Sequence, residues 1–100
     1  MNLDIKGKVV FISGSSKGIG LGIAKILLEE GCDVIINGRN EERLNQAAND
    51  LRNQYSGVIL AVAGAVNEVA IIKKVKDKAI EKWGHLDGVV ANAGAVKNIH

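Results

Sequence analysis

Seven residues, Gly14-Ser15-Ser16-Lys17-Gly18-Ile19-Gly20, carry the most specific chemical signal in the chain. They stand between an apolar run, Val9-Val10-Phe11-Ile12, and a helical pattern that starts at Gly18. The first turn of a helix has backbone N–H groups without intrahelical acceptors and a partial positive charge, so it attracts anions. Glycine lets the chain turn sharply off a strand and lets a phosphate approach with no Cβ in the way. Gly14 is placed to make the turn. Gly18 and Gly20 would bring the helix start and a ligand close to the backbone. A diphosphate suits such a joint. The spacing, Gly-x-x-x-Gly-x-Gly, differs from Gly-x-Gly-x-x-Gly, and the mononucleotide loop Gly-x4-Gly-Lys-Ser/Thr is absent. A tight strand–helix turn with no ligand is the alternative these glycines leave open.

Two cations refine that reading. The second apolar run ends in Asn37-Gly38-Arg39-Asn40, with no carboxylate where an NAD-binding unit places one for the ribose hydroxyls. Asp33 lies at the wrong end of the same run. Arg39 and Lys17 instead offer positive charge for a 2′-phosphate. Arginine can hold phosphate through two hydrogen bonds, and lysine adds a point charge. The pair favours NADP(H) over NAD(H). Arg39 alone reads equally well as a solvated loop cation, and Lys17 weighs against that.

The elements that must position these residues alternate. Val9–Ile12 is a buried strand, and a helix follows from Gly18 to Glu30 with Gly31 as its stop. Ile19, Ile23, Ile26 and Leu27 are expected to form the buried stripe of that helix. Asp33–Asn37 is a second strand. Asn40 caps a second helix whose first-turn carboxylates, Glu41 and Glu42, suit its dipole. Leu44, Ala47, Ala48 and Leu51 line the inner face. Val58–Val62 is a third strand. A third helix begins at Asn67-Glu68, with Ile72, Val75, Ala79 and Ile80 inward, Lys73, Lys74, Lys76 and Lys78 in solvent, and Trp83 as a packing anchor. Leu86–Val90 is a fourth strand, leading into Ala91-Asn92-Ala93-Gly94. Strands alternating with helices imply an α/β fold of Rossmann type, a parallel sheet with helices on both faces. Right-handed crossovers give the order 3-2-1-4. Ligands of such sheets bind where the order reverses, here between strands one and four, at their carboxyl ends.

Composition narrows the function classes. The chain has 100 residues, enough for one small domain, and is 47% apolar and 24% charged. Thirteen Lys and Arg against 11 Asp and Glu leave a net charge of +2, too balanced for a nucleic-acid or anionic-membrane surface. The lysines of the third helix are interleaved with Glu68, Asp77 and Glu81 and read as a solvated helix face. The single cysteine, Cys32, allows no internal disulfide, and no Cys/His cluster has metal-ligand spacing. Cys32 reads as a buried, inert thiol. No apolar run reaches membrane-spanning length and no signal-peptide pattern opens the chain, so a cytoplasmic location is expected.

These motifs, in register across the whole chain, resemble the short-chain dehydrogenases/reductases. Ser13 to Gly20 is similar to that family's Thr-Gly-x-x-x-Gly-Ile-Gly cofactor motif, with Ser13 in place of Thr. Leu86 to Gly94 is similar to its fourth strand ending in Asn-Asn-Ala-Gly, and Asn37-Gly38-Arg39 to the NADP-preferring members. The resemblance implies a cofactor site made of Gly14, Ser15, Ser16, Lys17, Gly18, Ile19, Gly20, Asn37, Arg39, Ala65, Val66, Asn92, Ala93 and Gly94. Two departures stand out. Ala91 replaces the first Asn of Asn-Asn-Ala-Gly, removing a group that helps tie the central strands. Ala65-Val66 stands where the family has Asp-Val, which weakens adenine recognition. The family's Ser and Tyr-x-x-x-Lys have no counterpart: the one tyrosine, Tyr55, has Ile59 four residues on, and His85 and His100 have no arrangement suggesting catalysis. Residues 1–100 therefore match the N-terminal, cofactor-binding part of an NADP(H)-dependent oxidoreductase acting on a small-molecule carbonyl or alcohol. A non-catalytic NADP(H)-binding module or partner subunit is the second reading. A flavodoxin-like or receiver domain comes last, because no acidic pair follows the first strand. A fourth strand at the sheet edge is also expected to invite self-association.

Overall fold

The computed structural model describes residues 4–65 and 69–92. Its elements are β1 (Val9–Ile12), α1 (Gly18–Glu29), β2 (Asp33–Gly38), α2 (Glu41–Gln54), β3 (Ile59–Ala63), α3 (Val69–Trp83) and β4 (Gly88–Val90). All strand pairs are parallel and the order is β3-β2-β1-β4, the Rossmann arrangement that alternation implied. The β1–β2 register sets Val9 against Asp33 and Ile12 against Ile36.

Side chains alternate between the two faces of the sheet. On one face Ile12, Val34, Ile36 and Ile59 pack under Ala24 and Leu28 of α1 and Leu44, Ala47, Ala48 and Leu51 of α2. On the other, Val9, Phe11, Ile35 and Val62 pack under Val75 and Ala79 of α3, with Ile71 and Trp83 beside them. Fully burying one Leu or Ile side chain contributes about 1.5–3 kcal/mol, so these two layers dominate the stability of the chain.

Helix α2 matches its expected face residue by residue, and the Asn40 side chain accepts the Arg43 N–H at 2.8 Å as its cap. Helix α1 corrects the expected stripe. Its buried line is Gly20, Ala24 and Leu28, whereas Ile19 is 76% and Ile26 55% exposed. Apolar residues occupy most of α1, so hydrophobicity alone does not choose a face. Close approach to the strand ends does, and it selects the smallest side chains. Helix α3 is corrected likewise. Val75 and Ala79 are buried, but Ile72 and Ile80 are about half exposed and Ile71 lies inward instead. The expected start of this helix, Asn67-Glu68, lies outside the described residues. β3 runs Ile59–Ala63 rather than Val58–Val62, and β4 starts at Gly88 rather than Leu86.

Two carboxylates fasten the amino ends of the strands. Asp33 accepts the Val58 N–H at 2.9 Å and the Trp83 indole N–H at 2.7 Å, joining β2, the chain entering β3, and α3. Asp87 accepts the Val9 N–H at 2.8 Å, gives its own N–H to the Val9 carbonyl, and faces His85 Nδ1 at 2.6 Å. His85 thus has a partner the sequence did not reveal, but at the sheet end opposite the glycine turn. Cys32 is fully buried, its thiol 3.4 Å from the Ile5 carbonyl, and burial first, then neighbouring carboxylates, push its pKa up. Among the described residues no helix is long and apolar enough to cross a membrane.

The Val9 N–H, with His85, holds the Asp87 carboxyl below the usual carboxylate range. A lowered folded-state pKa means a contribution present above about pH 4, the unfolded value, and lost as pH falls through the folded one. Asp87→Asn should therefore flatten the acid side of the stability profile. Urea midpoints for both proteins between neutral and acid pH check this, and superimposable acid limbs would sink it.

Candidate cofactor site

The carboxyl end of β1 is where the glycine turn sits. Ser13 continues the strand, donating its N–H to the Val90 carbonyl at 3.0 Å, while its hydroxyl accepts the Asn92 N–H at 2.8 Å. Gly14 then turns at φ +58°, a left-handed conformation in which a Cβ would also meet the Asn92 carbonyl oxygen. Its N–H goes to Asn37 Oδ1 at 3.1 Å and its carbonyl accepts from Asn92 Nδ2 at 3.1 Å. The tie expected to suffer from Ala91 is thus made by Ser13 and Asn92.

Ser15 is fully buried and fully engaged. Its hydroxyl donates to the Ile12 carbonyl at 2.6 Å and accepts the Asn37 N–H at 2.9 Å, and its N–H reaches the Asn37 carbonyl at 2.7 Å. Ser16 packs on Gly38, where an added Cβ would lie 2.7 Å from the Ser16 hydroxyl oxygen. That contact sets side by side the two turns whose next residues are Lys17 and Arg39. Both are exposed, and among the described residues neither makes an ion pair.

Lys17 is the N-cap of α1, extended at φ −163°, and no side chain caps the helix. The N–H groups of its first turn are left without a side-chain acceptor. Gly18 follows at φ +64° with nothing within 4 Å of its missing Cβ. Gly20 differs. A Cβ there would lie 2.4 Å from the Gly14 carbonyl oxygen and 2.6 Å from Asn92 Nδ2. Gly18 leaves open space over the turn, while Gly20 seats the helix against it.

The third side of the site is the end of β3. Gly64, at φ +140°, gives its N–H to the Gly38 carbonyl at 3.0 Å, with half-buried Ala65 after it. Asn37 is 2% exposed, and its amide donates to the Val62 and Gly64 carbonyls at 2.9 and 3.1 Å. It lies beneath the turns rather than on their surface. Its type at the end of a buried strand was a signal that it needs several backbone partners, although spacing did not identify them. Val66, Ala93 and Gly94 lie outside the described residues. Tyr55 ends α2, its hydroxyl 3.4 Å from Glu29, remote in the fold from the glycine turn. Among the described residues no cluster of His, Cys, Asp or Glu could hold a metal.

An uncapped helix start, an open glycine and two neighbouring cations fit a polyanionic dinucleotide. A family model described as short chain dehydrogenase matches residues 8–100. The chain is 37% identical over 98 residues to a 3-oxoacyl-(acyl-carrier-protein) reductase of Chlamydia pneumoniae, covering 98% of this chain and 39% of that protein. It is 35% identical over 89 residues to a dehydrogenase/reductase SDR family member 4 of Caenorhabditis elegans, covering 89% of this chain and 34% of the relative. Among solved structures, an L-sorbose reductase from Gluconobacter frateurii complexed with NADPH and L-sorbose superposes with TM-score 0.89 at 35% identity, over 100% of this chain and 38% of that one. An actinorhodin polyketide ketoreductase with NADPH superposes with TM-score 0.81 at 31% identity, over 89% of this chain and 34% of that one. The chain thus spans between a third and two-fifths of these proteins' length.

Two glycines of α1 should respond oppositely to the same substitution. Gly20→Ala drives a methyl into the Gly14 carbonyl and should cost about 1–3 kcal/mol, the usual penalty of overpacking. Gly22→Ala meets nothing within 4 Å and should stabilise by about 0.5–1 kcal/mol through helix propensity. Urea unfolding of both variants checks the pair. Equal effects would mean that Gly20 is not a packing position.

Proposed function

The chain belongs to the short-chain dehydrogenase family, and from that premise we propose that it forms the cofactor-binding part of an oxidoreductase that uses NADP(H) in preference to NAD(H). Bound there, NADP(H) would supply or accept the hydride exchanged with a small-molecule carbonyl or alcohol. The observation that carries the reading is the contact of Ser16 with Gly38, which joins the uncapped helix start to the turn bearing Arg39.

Each residue then has a task. Backbone N–H groups from Ser16 to Gly20 face the diphosphate. Gly14 and Ser15 hold the turn, and Gly18 keeps its outer side open. Lys17 and Arg39 meet the 2′-phosphate, the arginine through paired N–H groups. Asn37 supports both turns from below. Ala65 borders the adenine without a side-chain acceptor, so base contacts there are apolar. Asn92 closes the side at the carboxyl end of β4. The NADPH in the sorbose reductase and ketoreductase structures agrees with this choice of cofactor.

A second reading rests on the residues present. No Tyr-x-x-x-Lys occurs among the 100 residues, so the group that would pass a proton to the substrate is not among them. On that reading the chain binds NADP(H) without turnover, or pairs with another chain. The outer edge of β4, where Val89 is 61% exposed, is the surface we assign to such association.

Arg39→Ala should weaken NADPH binding by about 1–3 kcal/mol, the cost of losing a charged hydrogen bond, and leave NADH almost unchanged. Calorimetric titration with both cofactors checks this, and equal losses would refute the 2′-phosphate assignment. The 100-residue chain, incubated with NADPH and a panel of ketones, should show no substrate-dependent loss of nicotinamide absorbance. Oxidation above that of a Lys17→Ala/Arg39→Ala control would place proton transfer in residues of this chain.

A further inference from the structure

Asn37 is the most heavily engaged polar side chain among the described residues. Its Oδ1 accepts the Gly14 N–H, and its two Nδ2 hydrogens go to the Val62 and Gly64 carbonyls. Its own backbone exchanges bonds with Ser15 in both directions. It is 2% exposed, and no buried side-chain nitrogen or oxygen among the described residues lacks a partner. A primary amide offers two donors and one acceptor oxygen in a rigid plane, and here all of them are used.

The groups it joins belong to two different turns. Gly14 makes the turn beside the helix start, at φ +58°, and Gly64 makes the turn that leaves β3, at φ +140°. We propose that Asn37 is a positioning residue that couples these two turns, setting the spacing between the diphosphate side and the base side of the dinucleotide site. The proposal rests on the cofactor reading above. The amide holds its oxygen and nitrogen a fixed distance apart, so a shift of the Gly14 turn is passed to Gly64 instead of being absorbed. The other bonds of these turns run to the β2 backbone, from Ser15 to Asn37 and from Gly64 to Gly38.

The chemistry of the amide supplies a diagnostic substitution. Asn37→Asp keeps the shape and the acceptor for Gly14 but, when ionised, turns a carboxylate oxygen toward two carbonyls. When protonated, it regains one O–H donor and keeps a carbonyl acceptor. Burial and the facing carbonyls favour the protonated form and raise such a group's pKa. The partners packed about Asn37 are Gly14 and Ser15 from the turn after β1 and Val62 and Gly64 from β3, and none carries a titratable side chain. Lys17 and Arg39 in the flanking turns are exposed.

Wild type, Asn37→Asp and Asn37→Ser would be titrated with NADP+ from pH 8 to pH 5, with near-ultraviolet circular dichroism at each pH reporting the folded fraction. Asn37→Asp should bind roughly tenfold or more weakly than wild type at pH 8, and the ratio should shrink toward one at pH 5. Asn37→Ser, which has no titrating group, should show a deficit that does not change with pH. A folded Asn37→Asp whose ratio to wild type is independent of pH overturns the coupling. If Asn37→Asp does not fold, amide hydrogen exchange of the wild type decides. Added NADP+ should slow the Gly14 and Gly64 amides together, and protection of one alone, or of neither, overturns the proposal. A wild type that fails to bind NADP+ removes the cofactor reading itself, and the coupling with it.

Discussion

Gly14 gives its N–H to the side chain of Asn37 and its carbonyl to the side chain of Asn92. Through that one residue the end of β1 is tied on one side to β2 and β3 and on the other to the chain leaving β4. The geometry tolerates no Cβ, because the Asn92 carbonyl occupies that place and the backbone is left-handed. The start of α1 depends on the same seat. Gly20 rests on the Gly14 carbonyl, so the height of the helix above the sheet follows from the absence of side chains at both positions.

The consequence for the site is a division of labour among its glycines and serines. Gly14, Gly20 and Gly38 allow backbone to approach backbone or the Ser16 side chain, and Ser15 spends both its hydroxyl and its N–H inside the turn. Gly18 alone of the motif's glycines faces open space. A rigid underside and an open upper side are what anion binding by backbone dipoles requires, since preorganised N–H groups need no rearrangement when charge arrives. Lys17 and Arg39 lie exposed in the adjoining turns, where they incur no desolvation penalty.

The opposite end of the sheet is held by charge instead. Asp33 and Asp87 place carboxylates against backbone N–H groups at the strand starts, and Trp83 and His85 complete those clusters. Among the described residues β4 pairs with β1 alone and, at three residues, is the shortest strand. It is clamped at its start by Asp87 and beyond its end by Asn92.

Much of this was legible in the residues themselves. Strands rich in Val and Ile, the Asn40 cap, the inner face of α2 and the alternation that dictates the order 3-2-1-4 are local or combinatorial properties, and local sequence determines them. The faces of α1 and α3 were legible only in part: Ile23, Leu27, Val75 and Ala79 pack inward as expected, and Ile19, Ile26, Ile72 and Ile80 do not. Both helices carry apolar residues around much of their circumference, and only the distance to the sheet decides that Gly20, Ala24 and Leu28, or Ile71, Val75 and Ala79, turn inward. The glycine motif was readable as a tight strand–helix joint, but which glycine opens outward and which meets the protein depends on Asn92, 72 to 78 residues further along the chain. Asn37 and Asp87 follow the same rule. Their partners are Gly14, Val62, Gly64 and Val9, brought beside them by strand crossovers. A side chain's type states how many hydrogen bonds it needs when buried; only the tertiary fold supplies the groups that meet that need.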